Sequence, residues 1–235
     1  MHRLQTFLSF AFIFSVLVAG TPTYTLPRCQ LDQNIIPGLP STLVNPSTKL
    51  GYVAVAIGTQ NYTCNSTSST YVNIGAVAEL FDISCLYMTP ALSTTFNIIQ
   101  DVAIKAWEDA PSAALPKQIL PTYFNVGQHY YVPNPVTGQG VNPKWDFSSS
   151  RHVTTESADG YVVAAKVTSA ASPSGKQDID WVQLKSITGT LATQVFRTDT
   201  RHGQPPASCT PGTPDIQVKY ASKYCESILL QIPVF

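Results

Sequence analysis

Gly51-Tyr-Val-Ala-Val-Ala-Ile-Gly-Thr-Gln-Asn-Tyr-Thr-Cys-Asn65 is the stretch whose reading decides the fold. Tyr52 to Ile57 is an almost unbroken apolar run between two glycines, Gly51 and Gly58. A run this short, bounded this way, predicts a strand buried on both faces. Its exit carries Gln60, Tyr62 and Cys64, side chains able to anchor a loop by hydrogen bonds and a disulfide. It also carries two sequons, Asn61-Tyr-Thr and Asn65-Ser-Thr, which place N-glycans at Asn61 and Asn65 if the chain is secreted. A core strand therefore runs into a decorated, stapled rim.

Outward from that strand, residues 76–82 predict a second one, with Val77, Leu80 and Phe81 as core contributors. Further short runs follow at 127–132, 145–147, 160–168, 179–187, 191–198 and 216–220. Tyr161, Val163, Ala165 and Val167 alternate with less apolar partners, as do Ile216, Val218 and Tyr220. One helix is predicted around 94–109, on a stripe of Leu92, Phe96, Ile99, Ala103 and Ala106. Ser93 or Thr94 can cap it, Asp101 and Lys105 are spaced as an i,i+4 pair, and Ala110-Pro111 ends it. Strands without regular strand–helix alternation exclude a parallel α/β sheet. The predicted fold is all-β and mainly antiparallel, a β-sandwich or barrel-like single domain with one helix packed on a sheet face.

Met1 to Gly20 reads as a signal peptide, with Arg3 before an apolar segment from Leu4 to Val18 and small residues at Val18 and Gly20. That apolar segment is shorter than the roughly 20 residues of a bilayer span. The expected location is therefore outside the cell or in its wall, with no membrane partner once the leader is removed. Residues 21–50 hold five prolines and predict an extended arm, and residues 51–235 the β-rich domain. Charged residues make up 12% of the chain, against about 25% in an average soluble domain. Formal net charge is +0 and no run of Lys or Arg exists. Nucleic acid is excluded as a partner on that ground. The five cysteines contain no C-x-x-C pair, so disulfides rather than zinc or redox chemistry are expected, with one thiol left over.

Seven blocks taken together add a resemblance. They are Gly58-Thr-Gln-Asn-Tyr-Thr-Cys64, Ala78-Glu-Leu-Phe-Asp82, Gly127-Gln-His-Tyr130, Pro143-Lys-Trp145, Asp180-Trp-Val-Gln-Leu184, Val195-Phe-Arg-Thr-Asp-Thr200 and Gly203-Gln-Pro-Pro206. In order and spacing the chain resembles, over roughly residues 35 to 224, a family of secreted proteins of unknown function. That family is abundant in filamentous fungi and present in bacteria, and its fungal members often carry the label "malate dehydrogenase". The resemblance implies a secreted, β-rich domain with Cys64 paired to Cys209 and Cys29 paired to Cys85. It brings no established activity and no catalytic residues. Residues 224–235, which contain Cys225, form an atypical tail by comparison with similar proteins.

The dehydrogenase label fails on the residues. Dinucleotide binding needs G-x-G-x-x-G between a strand and a helix. The nearest approach is Gly138-Gln-Gly-Val-Asn-Pro143, set among prolines that rule out the helix. A dicarboxylate clamp would draw on Arg28, Arg151, Arg197 and Arg201 alone after processing. No cofactor is expected. His129, His152 and His202 form no H-x-H or H-E-x-x-H pair, so no metal site is expected either. A G-x-S-x-G elbow is absent, and no catalytic residue is named. Glu79, Asp82, Asp146, Asp159 and Asp180 supply candidate carboxylates for a glycan-active hydrolase, the alternative reading. The favoured candidate is aromatic: His129, Tyr131 and Trp145 on strand-like runs, forming a shallow face that stacks on sugar or takes a protein partner. Trp181, flanked by Ile179 and Val182, is expected in the core, and Lys166 at a rim. The predicted role is thus a secreted, cell-wall or extracellular binding protein, non-enzymatic, for a glycan or a protein.

Overall fold

A computed structural model describes residues 29, 31–111, 114–148 and 160–227. The predicted leader, Asp159, His152 and residues 228–235 lie outside them. Eight antiparallel strands close into a barrel in which each strand neighbours the next and the last returns to the first. They are β1 (Leu50–Asn65), β2 (Thr70–Asp82), β3 (Asn125–Pro133), β4 (Val141–Asp146), β5 (Tyr161–Ala170), β6 (Trp181–Gly189), β7 (Gln194–His202) and β8 (Ile216–Ser227). Between β2 and β3 the chain leaves the sheet as α1 (Ser84–Met88) and α2 (Ser93–Asp109). The fold is all-β with one long packed helix, as expected. Closure between β1 and β8 makes it a barrel rather than a sandwich.

The quoted stretch explains the architecture. On β1, Tyr52, Ala54 and Ala56 point into the barrel, where they join Leu80, Trp145, Phe147, Tyr220 and Tyr224 in one core. Val53, Val55 and Ile57 point outward and are covered by Phe96, Ala103, Ile104 and Trp107 of α2, with Phe81, Phe196 and Ala221 beside them. Both faces are dry, which is why the sequence reads as a continuous apolar run. Burying each large side chain of this kind contributes about 1.5–3 kcal/mol. Inside, small residues of β1 and β2 face large aromatics of β4 and β8, the size alternation that fills an eight-stranded barrel. Gly58 is required by close approach: a Cβ there would lie 2.0 Å from the Val77 carbonyl oxygen and 2.6 Å from the Ala78 Cα.

The helix is latched as well as packed. Trp107 Nε1 donates to the Gly58 carbonyl at 3.0 Å, and Lys219 Nζ donates to the Trp107 carbonyl at 2.6 Å while lying over its ring. Arg201 pairs with Asp101, and His202 Nδ1 meets Glu108. Beneath the helix, buried Lys223 reaches Asp199 at 3.2 Å. The arm is tied down by the Cys29–Cys85 bridge and by burial of Leu31, Ile36 and Leu43.

Several details depart from the sequence reading. The buried stripe of α2 is Phe96, Gln100, Ala103, Ile104 and Trp107, so the helix is rotated from the predicted stripe and Leu92 is exposed. Asp101 pairs with Arg201, and Lys105 pairs with Asp109 instead. No side chain caps α2, because a 3-10 turn at Pro90–Leu92 leads straight into it. Val77 is 51% exposed on the outer face, and its neighbour Ala78 is the one that enters the core. On β5 the predicted alternation is inverted: Val162 and Ala164 face inward while Val167 is exposed. Tyr224 to Ser227 of the atypical tail are part of β8, where Tyr224 and Cys225 pair with Ala54 and Val53. Cys225 is a free, buried thiol, pushed up to about 12 by burial and so unreactive.

Candidate functional site

The barrel is filled at one end and open at the other. The open end lies where β1, β3 and β5 finish and β2, β4 and β6 begin, and it holds a cleft of about 520 Å³. Its walls come from Tyr62, Tyr71, Asn73, Tyr131, Asn142 and Lys166, with Asp180, Val182, Arg197 and Gln204 completing the circuit. Strand periodicity places them: Gln60 and Tyr62 continue the inward face of Ala54 and Ala56, and Arg197 follows Val195 two residues on.

Local chemistry fixes the walls. At the break in β1–β2 register between Asn61 and Tyr62, Asn73 Nδ2 donates to Gln60 Oε1 at 3.1 Å, and Gly75 N donates to Asn73 Oδ1 at 3.0 Å. Gly75 has φ +144, and a Cβ there would touch the Tyr131 ring carbon at 3.4 Å. Glycine at this point lets Tyr131 lie flat along the wall. Tyr62 donates its hydroxyl hydrogen to the Gly203 carbonyl at 2.7 Å. The second bridge, Cys64–Cys209, ties the end of β1 to the β7–β8 loop that carries Gln204. Both pairings implied by the resemblance, Cys64–Cys209 and Cys29–Cys85, are present. Asn65 is exposed on this same rim, its Oδ1 accepting from Thr67 N and Ser68 N. Asn61 sits on β1, its Oδ1 accepting from Thr59.

The aromatic residues singled out in the sequence do converge, because His129 and Trp145 are directly paired across β3 and β4. They converge inward. His129 and Trp145 are 2% and 1% exposed, so they are packed inside the barrel and do not form a shallow outer face; of the three residues, Tyr131 alone lines the cleft. Their rings stack at 4.6 Å, and Tyr131 stands edge-on to His129 at 5.7 Å. His129 Nδ1 donates to the Lys144 carbonyl at 3.0 Å. Burial holds the imidazole down at about 3, against the Lys144 bond, with the Arg197 charge adding to the effect. His129 is therefore a neutral acceptor at Nε2 at physiological pH. Burial raises Tyr62 and Tyr131 above the ordinary phenol value, so both present neutral hydroxyls.

Gln60 Nε2, Trp145 Nε1 and Trp181 Nε1 are buried N–H donors with no partner among the described residues, and of the three residues Gln60 is the one that lines the cleft. Leaving a buried amide donor unpaired costs about 1–3 kcal/mol, so an unspent donor in a cleft wall marks a place built for a hydrogen-bonding guest.

The candidate carboxylates are dispersed. Glu79 accepts from Asn125 and Gln128. Asp82 holds the Ser84 amide, and Asp146 is engaged by Lys144, Tyr130 and Ser148. Among the described residues lining the cleft, Asp180 is the one carboxylate. Trp181 is buried, and Lys166 lies at the cleft rim on the inward face of β5. The sequence reading missed Arg197 and the amides of Gln60, Asn73, Asn142 and Gln204 as site residues. For Arg197 a signal existed: a charge two positions after Val195 places a cation on an otherwise apolar inward face.

A search of curated proteins finds no match to this chain, and neither does a search of solved structures. A family model matches residues 45–225, from the end of the arm through β8. The chain belongs to the family described as Protein of unknown function (DUF3455).

Proposed function

We propose that this chain is a secreted binding protein that takes the end of a glycan into the mouth of its barrel. One observation carries the reading: Gln60 Nε2 is buried, unpartnered and set in the wall of a cleft whose lining includes three tyrosine rings and the side-chain amides of Asn73, Asn142 and Gln204. Rings that stack on pyranose faces and amides that pair with hydroxyls are the two surfaces a sugar needs. A cleft of about 520 Å³ falls within the usual range for small-ligand sites. Two disulfides fit an oxidising compartment, and the exposed turn at Asn65 fits an N-glycan acceptor. No helix of the described residues is long and apolar enough to cross a membrane.

The test uses protein from a secretory host, incubated with insoluble chitin, β-glucan, cellulose and plant wall material. Bound protein and released reducing ends are measured together. The reading expects retention on at least one material with no sugar released. Release would establish a hydrolase, and failure to bind any glycan would point to a protein partner.

A further inference from the structure

The charges around the cleft narrow the glycan class. Three cations held partly or wholly out of water elsewhere each meet a carboxylate: Lys144 with Asp146, Arg201 with Asp101, and Lys223 with Asp199. Arg197 does not. Its Nε and Nη2 both donate to the backbone carbonyl of Asp180, at 3.1 and 3.0 Å, and its Nη1 donors are unspent among the described residues. The guanidinium shares the cleft with Tyr62 and Tyr131, whose hydroxyls stay neutral. Lys166 supplies a second positive charge at the same cleft, and the exposed Asp180 carboxylate is the single negative one. A planar carboxylate matches the free edge of this guanidinium at the cleft mouth.

Building on the glycan reading, we infer that the bound sugar is acidic: a uronate whose carboxylate meets Arg197 and Lys166 while its ring lies against Tyr131. The carboxylate supplies the missing counter-ion, and Gln60 Nε2 is left for a ring hydroxyl. The exposed Asp180 carboxylate at the mouth disfavours a second, closely following negative charge on that side.

Calorimetric titration with trigalacturonate, its methyl ester and galactotriose at low salt tests this. Trigalacturonate is expected to bind at least about 10-fold more tightly than the ester or the neutral trimer, with an advantage that shrinks as salt is raised. Arg197→Gln is expected to abolish that advantage, and Arg197→Lys to restore part of it. Should Arg197→Gln melt early, Lys166→Gln, an exposed change, still reduces the advantage. Equal binding of acid and ester overturns the uronate inference while leaving the glycan reading intact, provided Tyr131→Ala weakens both. An acid preference that survives both charge-removing variants overturns it too, since the anion then sits elsewhere. Absence of binding by all three trimers overturns the inference, and the glycan reading also falls only if the wall materials fail to retain the protein.

Discussion

Replacing Trp107 by alanine tests whether α2 is a structural wall of the barrel. The ring is buried against β1, its Nε1 donates to the Gly58 carbonyl at 3.0 Å, and Lys219 Nζ stands 4.3 Å from its centroid. Truncating a buried tryptophan costs about 3–5 kcal/mol, since the transfer energy is lost and a cavity is left. For a chain of this size each kcal/mol lowers Tm by about 2–4 °C, so Trp107→Ala should melt about 6–20 °C early by circular dichroism. Trp107→Phe keeps most of the apolar fill and removes the hydrogen bond and the better cation–π partner, for about 1–2 kcal/mol. A double-mutant cycle with Lys219→Met should return a coupling of about 0.5–2 kcal/mol. If Trp107→Ala melts within about 2 °C of wild type, α2 does not seal the outer face of β1 and this account of the strand is wrong.

Other consequences are as specific. Removing the Cys64–Cys209 bridge, which spans 145 residues, should cost about 5 kcal/mol on the chain-entropy argument, read by urea unfolding of the Cys64→Ser/Cys209→Ser variant. A loss under about 1 kcal/mol would mean that the bridge constrains little. His129 titrates near 6.5 when unfolded and at about 3 in the barrel, so the unfolded state binds the extra proton between those values. Its contribution is fully present above the unfolded value and is lost as pH falls from there towards 3. Between pH 7 and 5 this amounts to about 2 kcal/mol, which His129→Gln should abolish; an unchanged slope in the variant would place the protonation elsewhere. Gly58→Ala should separate β1 from β2 and cost about 1–3 kcal/mol or more, so an unaltered melting temperature would rule out the close approach to Val77.

How far the sequence discloses this molecule can be seen at single residues. Val53, Val55 and Ile57 announce a doubly buried strand because burial on both faces removes polar alternation. The register that closes the barrel joins Tyr52 to Glu226, and no local pattern encodes a pairing across that separation. In the sequence Val77 reads as core ahead of Ala78, because apolar size signals burial, whereas a barrel lumen facing Trp145 and Tyr220 takes the small Ala78 on β2. Gln100 hid the true face of α2, since a glutamine buried by pairing with Asn97 and Asp101 looks like a solvent residue in sequence. At the site, His129, Tyr131 and Trp145 were legible as aromatics on strands. Their inward direction was not, because strand parity fixes a face only once the register is known. Arg197 and Gln60 become site residues only when the barrel brings β7 and β1 to one mouth.

The most direct measurement of the central claim compares two tyrosines on opposite faces of the same barrel. Tyr131 lines the cleft, while Tyr161 lies on the outer face beneath Lys144 at 4.4 Å. Affinity for the best-retaining wall glycan would be measured for Tyr131→Ala and Tyr161→Ala, each checked for an intact fold. The account predicts a loss of about 10-fold or more for Tyr131→Ala, in keeping with about 1.4 kcal/mol per tenfold, and a change under about 2-fold for Tyr161→Ala. The opposite pattern, with Tyr161 sensitive and Tyr131 silent, would put the binding surface on the outside of the barrel and contradict it.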